Sequence, residues 1–155
     1  MSDHRYVIDT CSLTKMRHTY PRDVFPAAWT MLTDLAEQSL MISVEDVLEE
    51  LAVFDDEILQ WAREQGHIFL PLSENIQSHA IRILTSHSAL LDLKKNKSSA
   101  DPFIIAAAIE HSCTVVTEEK ASNSPNRYKI PDVCDAYNVD CISILEMFRR
   151  EDLKT

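Results

Sequence analysis

The chain alternates short apolar runs with longer stretches whose apolar positions recur at three- and four-residue spacing. Residues 5–9 (RYVID) predict a short strand that ends on an acid. Residues 10–22 read as an irregular stretch containing Pro21. Pro26 suits the first turn of a helix, which Trp29, Leu32, Leu35 and Ala36 continue on one face. Residues 40–42 predict a second strand. Ser43 with Asp46 resembles a capping box, ahead of a helix with Val44, Val47, Leu48, Leu51 and Ala52 on its apolar side. Asp55 and Asp56 open a further helix through Trp61, and Gly66 is placed to end it.

Residues 68–70 predict a small strand or extended connector, and Ser73 starts a helix running to about Leu90. After the polar segment LKKNKSS, Asp101 and Pro102 open a helix of small and apolar residues, FIIAAAIE. The run CTVVT at 113–117 is the clearest buried-strand pattern, and it leads into Glu118, Glu119 and Lys120. Residues 131–137 predict a short helix, 141–142 a last strand, and Ser143 with Glu146 a capped final helix. Strands separated by helices imply right-handed crossovers and a parallel sheet. The expected fold is therefore an α/β, three-layer α/β/α sandwich with a central parallel sheet, a single domain over residues 1–155.

Composition narrows the chemistry. The 155 residues include one glycine, where average usage would give about 11. Loops that cradle phosphate with backbone amides need glycines, so phosphate chemistry here must use side chains or metal ions. The net charge of −10 argues against wrapping nucleic acid by bulk positive charge. At 45% hydrophobic residues the chain is globular rather than disordered. No apolar run approaches the ~18 residues of a membrane span, and the opening MSDHRYVIDT lacks the apolar core of a secretory signal, so a cytoplasmic location is expected. Cys11, Cys113, Cys134 and Cys141 form no paired spacing and read as reduced, small buried hydrophobes, with zinc a poor second.

Ligands of a parallel sheet bind beyond the carboxyl ends of its strands, and that rule selects acids. Asp9 ends the first strand, Glu118 and Glu119 follow CTVVT, Asp101 opens the helix feeding that strand, and Glu49 and Glu50 lie on the helix after the second strand. Taken singly, Asp101 reads as a helix cap and the glutamates as solvated charge. Together they point to a divalent cation, because Mg²⁺ and Mn²⁺ prefer hard oxygen ligands and clustered carboxylates repel unless a cation neutralises them. Such ions activate water and stabilise the leaving oxygen of a phosphodiester.

The segments YVIDTCSL, VLEEL, ADPFIIAAA and VVTEEK, in this order and spacing, resemble the PIN-domain family over residues 5 to about 120. The nearest likeness is to small proteins of the VapC-like toxin type, in a subgroup with a C-terminal IPDVC segment, here at residues 130–134. The resemblance implies a Mg²⁺- or Mn²⁺-dependent ribonuclease, the toxin of a toxin–antitoxin pair. Its catalytic and metal-binding acids map to Asp9, Glu50, Asp101 and Glu119, with Glu49 and Glu118 as neighbouring alternatives. Thr10 or Ser12 matches a polar residue beside the first acid. Two positions depart from the family pattern: glutamate stands where the fourth acid is usually aspartate, and Thr10 follows the first acid where Asn or Ser is common.

Charge is unevenly spread. Lys15, Arg17 and Arg22 form one basic island, Lys94, Lys95 and Lys97 a second, and Lys120, Arg127 and Lys129 a third, leaving −19 on the rest of the chain. The first and third follow expected metal ligands, so Thr10, Ser12, Lys15, Arg17, Thr117 and Lys120 are candidate contacts for single-stranded or looped RNA. A cognate antitoxin protein and a second copy of the chain are the other expected partners. The competing expectation is a PIN-like RNA- or protein-binding module without catalysis. A haloacid-dehalogenase-type phosphatase would place Asp where Cys11 stands, and a receiver domain would need a mid-chain phosphoacceptor Asp after a strand; neither pattern is present.

Overall fold

The computed structural model describes residues 3–54, 56–87, 100–122 and 128–153. Five short strands form one sheet: β1 (Tyr6–Ile8), β2 (Met41–Val44), β3 (Phe69–Leu70), β4 (Thr114–Val116) and β5 (Cys141–Ile142). All neighbours pair in parallel, in the order β3-β2-β1-β4-β5. Tyr6 stands beside Met41 on one side and Thr114 on the other, so β1 and β4 are adjacent at the centre although far apart in sequence. Between them the direction of winding reverses, and a crevice opens at the carboxyl ends of the two strands.

Helices α1 (Thr10–Thr19), α2 (Pro26–Glu37), α3 (Glu45–Ala52), α4 (Glu57–Glu64), α5 (Glu74–Ser86), α6 (Asp101–His111), α7 (Ile130–Ala136) and α8 (Ile144–Arg150) flank the sheet, giving the expected α/β/α architecture. Strands β1, β2 and β4 are covered on both faces, which is why they read as continuous apolar runs without alternation. Helix α6 is buried nearly all round through Pro102, Ile104, Ile105 and Ala106 to Ala108. It lies against β1, β2 and β4 and is flanked by α5 and α7, and its alanines let the helix come close to the strands. A crossover helix that feeds a parallel strand must start at the carboxyl rim of the sheet, and this fixes where Asp101 sits. Among the described residues no helix is long and apolar enough to cross a membrane.

Three local expectations are corrected. Residues 10–19 are helix α1 rather than irregular. Thr, Cys, Ser and His are weak helix formers, and only burial of Ser12, Leu13 and Met16, with Asp9 capping the first turn, holds the segment helical. Ser43 caps nothing: β2 continues through Val44, and the buried Ser43 hydroxyl donates to the Ile8 carbonyl at 2.7 Å, tying β2 to β1. Asp101 is not a cap either, since Ala100 holds that position and no side chain caps α6.

Gly66 follows α4 and begins a 3₁₀ turn, Gly66–Ile68. A Cβ placed there would meet nothing within 4 Å, and no glycine has positive φ. Left-handed positions fall instead to Ser39, Ser112, Asn138 and Asp152, each at or just beyond the end of a helix. Caps at Asp56, Ser73 and Ser143 hold the starts of α4, α5 and α8 through their side chains.

Candidate metal centre

The centre is built at the mouth of the β1–β4 crevice. Asp9 sits between β1 and α1, and its backbone N–H donates to the Val116 carbonyl of β4 at 2.9 Å. Asp9 is 3% exposed. Oδ1 accepts the Thr10 amide at 2.7 Å; Oδ2 accepts the Thr117 hydroxyl at 3.0 Å and the Cys11 thiol at 3.1 Å. Asp101 reaches the same place from the first turn of α6 and is also buried. Glu119 reaches it from the segment after β4, with its Oε1 accepting the Ile130 amide at 3.4 Å.

One carboxylate oxygen each from Asp9, Asp101 and Glu119 lie within 4.8 Å of one another. The three acids come from separate parts of the chain and meet where the sheet topology places a ligand. Burial and mutual repulsion raise all three pKa values. Asp9 is raised chiefly by loss of solvent, against the opposing hydrogen bonds from Cys11, Thr117 and Thr10. Burial followed by the Asp9 charge raises Glu119. Asp101 is pushed up to about 9, first by burial and then by the charges of Asp9, Glu119 and Glu50. The group is therefore protonated in part at neutral pH unless a cation offsets the charge.

Glu50, from α3, stands beside the trio rather than in it. Its Oε1 accepts the Thr10 hydroxyl at 2.5 Å, and burial followed by the nearby Asp9 charge raises its pKa despite that bond. Its second oxygen, Oε2, is buried with no hydrogen-bond partner among the described residues. An orphaned carboxylate oxygen beside three crowded carboxylates is a donor set suited to a hard divalent cation. Its neighbour Glu49 is exposed.

Glu118 and Glu119 divide sharply. Glu118 turns toward α1 and α8, where Oε2 accepts the Ser12 hydroxyl at 2.7 Å and the Ile144 amide at 3.0 Å, and Oε1 pairs with Lys15 at 3.2 Å. Ser12 and Lys15 are thus committed to Glu118. Arg17 pairs with Asp56 at 3.3 Å, and Arg22 with Glu57 at 3.5 Å while lying over the Trp29 ring. Lys120 is exposed, directly after Glu119. Lys94, Lys95, Lys97 and Arg127 lie outside the described residues.

Residues 6–155 match a family described as a domain of unknown function (DUF4411). The chain belongs to the DUF4411 family. No curated protein matches it. In this DUF4411 chain two participants were not singled out from sequence as parts of the centre. Cys11, read as a buried hydrophobe, donates to Asp9 and accepts the Glu118 amide at 3.2 Å. Its place two residues after a strand-ending acid was the available signal. The Ile130 amide carries no side-chain signature at all.

Proposed function

We propose that this DUF4411 protein is a Mg²⁺- or Mn²⁺-dependent endoribonuclease acting in the cytoplasm as the toxin of a toxin–antitoxin pair. The observation that carries the proposal is the meeting of Asp9, Asp101 and Glu119 within 4.8 Å at the carboxyl rim of a parallel sheet. The likeness of YVIDTCSL, VLEEL, ADPFIIAAA and VVTEEK to the PIN pattern supplies the substrate class.

Asp9, Asp101 and Glu119 would hold the ion, with Glu50 Oε2 a further candidate donor. A divalent cation bound there lowers the pKa of water and offsets charge developing on a phosphodiester. Thr117 and Cys11 fix the rotamer of Asp9 by donating to Oδ2, leaving Oδ1 with a single backbone donor. Thr10 donates to Glu50 and keeps it turned to the rim. Thr10 and Thr117 thus orient carboxylates rather than grip substrate. Asp101, pushed up to about 9 by burial and the neighbouring acids, would have to give up its proton to hold the ion. Lys129, whose charge acts on Asp101 and Glu119, and the exposed Lys120, next in sequence after Glu119, would supply positive charge toward RNA phosphates.

The test is cleavage of RNA by the purified chain with Mn²⁺, with chelator, and as Asp9→Asn. Cleavage is expected only in the first case; full activity of Asp9→Asn would overturn the proposal. Growth arrest on expression, relieved by the same substitution, tests the toxin role.

A further inference from the structure

The IPDVC segment at residues 130–134 contributes no carboxylate to the acid cluster, yet its geometry gives it a task. Its aspartate, Asp132, collects three donors on one oxygen. Oδ2 accepts the Ser122 amide at 3.0 Å, the Ser122 hydroxyl at 3.1 Å and the Lys129 amide at 2.8 Å. Ser122 lies three residues after Glu119, and Lys129 lies one residue before Ile130. The carboxylate therefore draws together the two chain segments on either side of residues 123–127. Ile130 and Val133 are fully buried, so α7 is fixed to the core while Asp132 holds the neighbouring chain to it. The next amide along, that of Ile130, donates to Glu119 Oε1.

We propose that Asp132 is a positioning residue for the metal centre: it clasps Ser122 to Lys129 and thereby sets Glu119 against Asp9 and Asp101. This rests on the metal-site reading above. The IPDVC segment is then a buckle, in which Ile130 and Val133 anchor the helix, the Ile130 amide holds Glu119, and Asp132 closes the connection. Outer residues that orient a ligand typically change metal affinity 10–100-fold when removed.

The experiment is calorimetric titration of Mn²⁺ into the metal-free full chain as wild type, Asp132→Ala, Asp132→Asn and Ser122→Ala. Asp132→Ala is expected to weaken Mn²⁺ about 10–100-fold. These three bonds end on one oxygen, so the Asn carbonyl keeps an acceptor for them, and Asp132→Asn is expected to recover part of the affinity. A loss in Asp132→Asn equal to that in Asp132→Ala would assign the effect to charge and overturn the proposal. A lower melting temperature with unchanged affinity in Asp132→Ala would reduce the residue to a structural role and also overturn it. If Asp132→Ala does not fold, Ser122→Ala decides: it keeps the charge, removes the hydroxyl's bond to Asp132 and is expected to weaken Mn²⁺ a few-fold, and no change overturns the clasp. No Mn²⁺ binding by wild type would refute the metal site itself, which is distinguishable from a wild type that binds while the variants match it.

Discussion

Two regions separated by one peptide bond treat the same side chain in opposite ways. At the α1–α8 junction, Glu118 is matched by a lysine, a serine hydroxyl and a backbone amide. In the β1–β4 crevice, Glu119 faces two buried aspartates and receives one long hydrogen bond. The first arrangement is complete as folded and joins β4 to two helices. The second is electrostatically incomplete, and it raises the pKa values of its members. Carboxylates that serve the fold are found with their donors, whereas carboxylates crowded together at a sheet's carboxyl rim stay under-neutralised and could hold a cation.

The largest expected effect comes from breaking the incomplete side. Asp101→Asn should abolish the Mn²⁺-induced rise in melting temperature and lower RNA cleavage more than about 100-fold. The same change should raise the melting temperature of the metal-free chain at pH 8, because Asn needs no proton taken up on folding, a cost that Asp101, pushed up to about 9, bears at that pH. Thermal melts with and without Mn²⁺ check both signs.

Exchanging the two glutamates sharpens the contrast. Glu118→Gln should retain Mn²⁺ binding but destabilise the fold by about 1–2 kcal/mol, through weakened bonds to Lys15 and the Ile144 amide. Glu119→Gln should do the reverse, weakening Mn²⁺ while leaving the metal-free fold as stable or more so. Denaturant unfolding beside Mn²⁺ titration separates them, and similar behaviour of the two variants would erase the distinction.

pH supplies the next test. The folded pKa values of Asp9, Asp101 and Glu119 lie above their unfolded values, so their contribution to metal-free stability is complete below about pH 4. It is lost as pH rises through the folded values, up to about 9 for Asp101. Between pH 6 and 9 this cluster should therefore lower the metal-free melting temperature, and Asp101→Asn should flatten that slope. Adding Mn²⁺ should offset more of the loss at the higher pH.

The smallest effect tests the fold alone. Ser112 ends α6 with φ of 56°, so Ser112→Gly should stabilise the chain by roughly 0.5–1 kcal/mol without touching the crevice. Gly66→Ala should be tolerated, since a Cβ there meets nothing. Chemical denaturation measures both.

The fold was legible where apolar runs were strong. CTVVT, FIIAAA and the run in YVID mark a buried strand, a fully buried helix and a central strand, and their alternation implied the parallel sheet. Helix α1 was not legible, because its weak helix formers become helical only through burial of Leu13 and Met16. Ser43 misled as a capping residue because its hydroxyl serves the neighbouring strand. In the site, Asp9 and Asp101 follow from topology alone: one ends a central strand, the other opens a crossover helix. The choice between Glu118 and Glu119 depended on which faces Lys15 and Ile144, a tertiary fact that periodicity does not encode. Lys15 looked like a cation available to RNA for the same reason.

The central claim is that Asp9, Asp101 and Glu119 form a divalent-cation site. Calorimetric titration of Mn²⁺ into the metal-free wild-type chain at pH 7, run in two buffers of different ionisation enthalpy, tests it most directly. Binding should release about one proton per ion, chiefly from Asp101, and the affinity should rise with pH. Absence of binding, or binding unchanged in Asp101→Asn and without proton release, would contradict it.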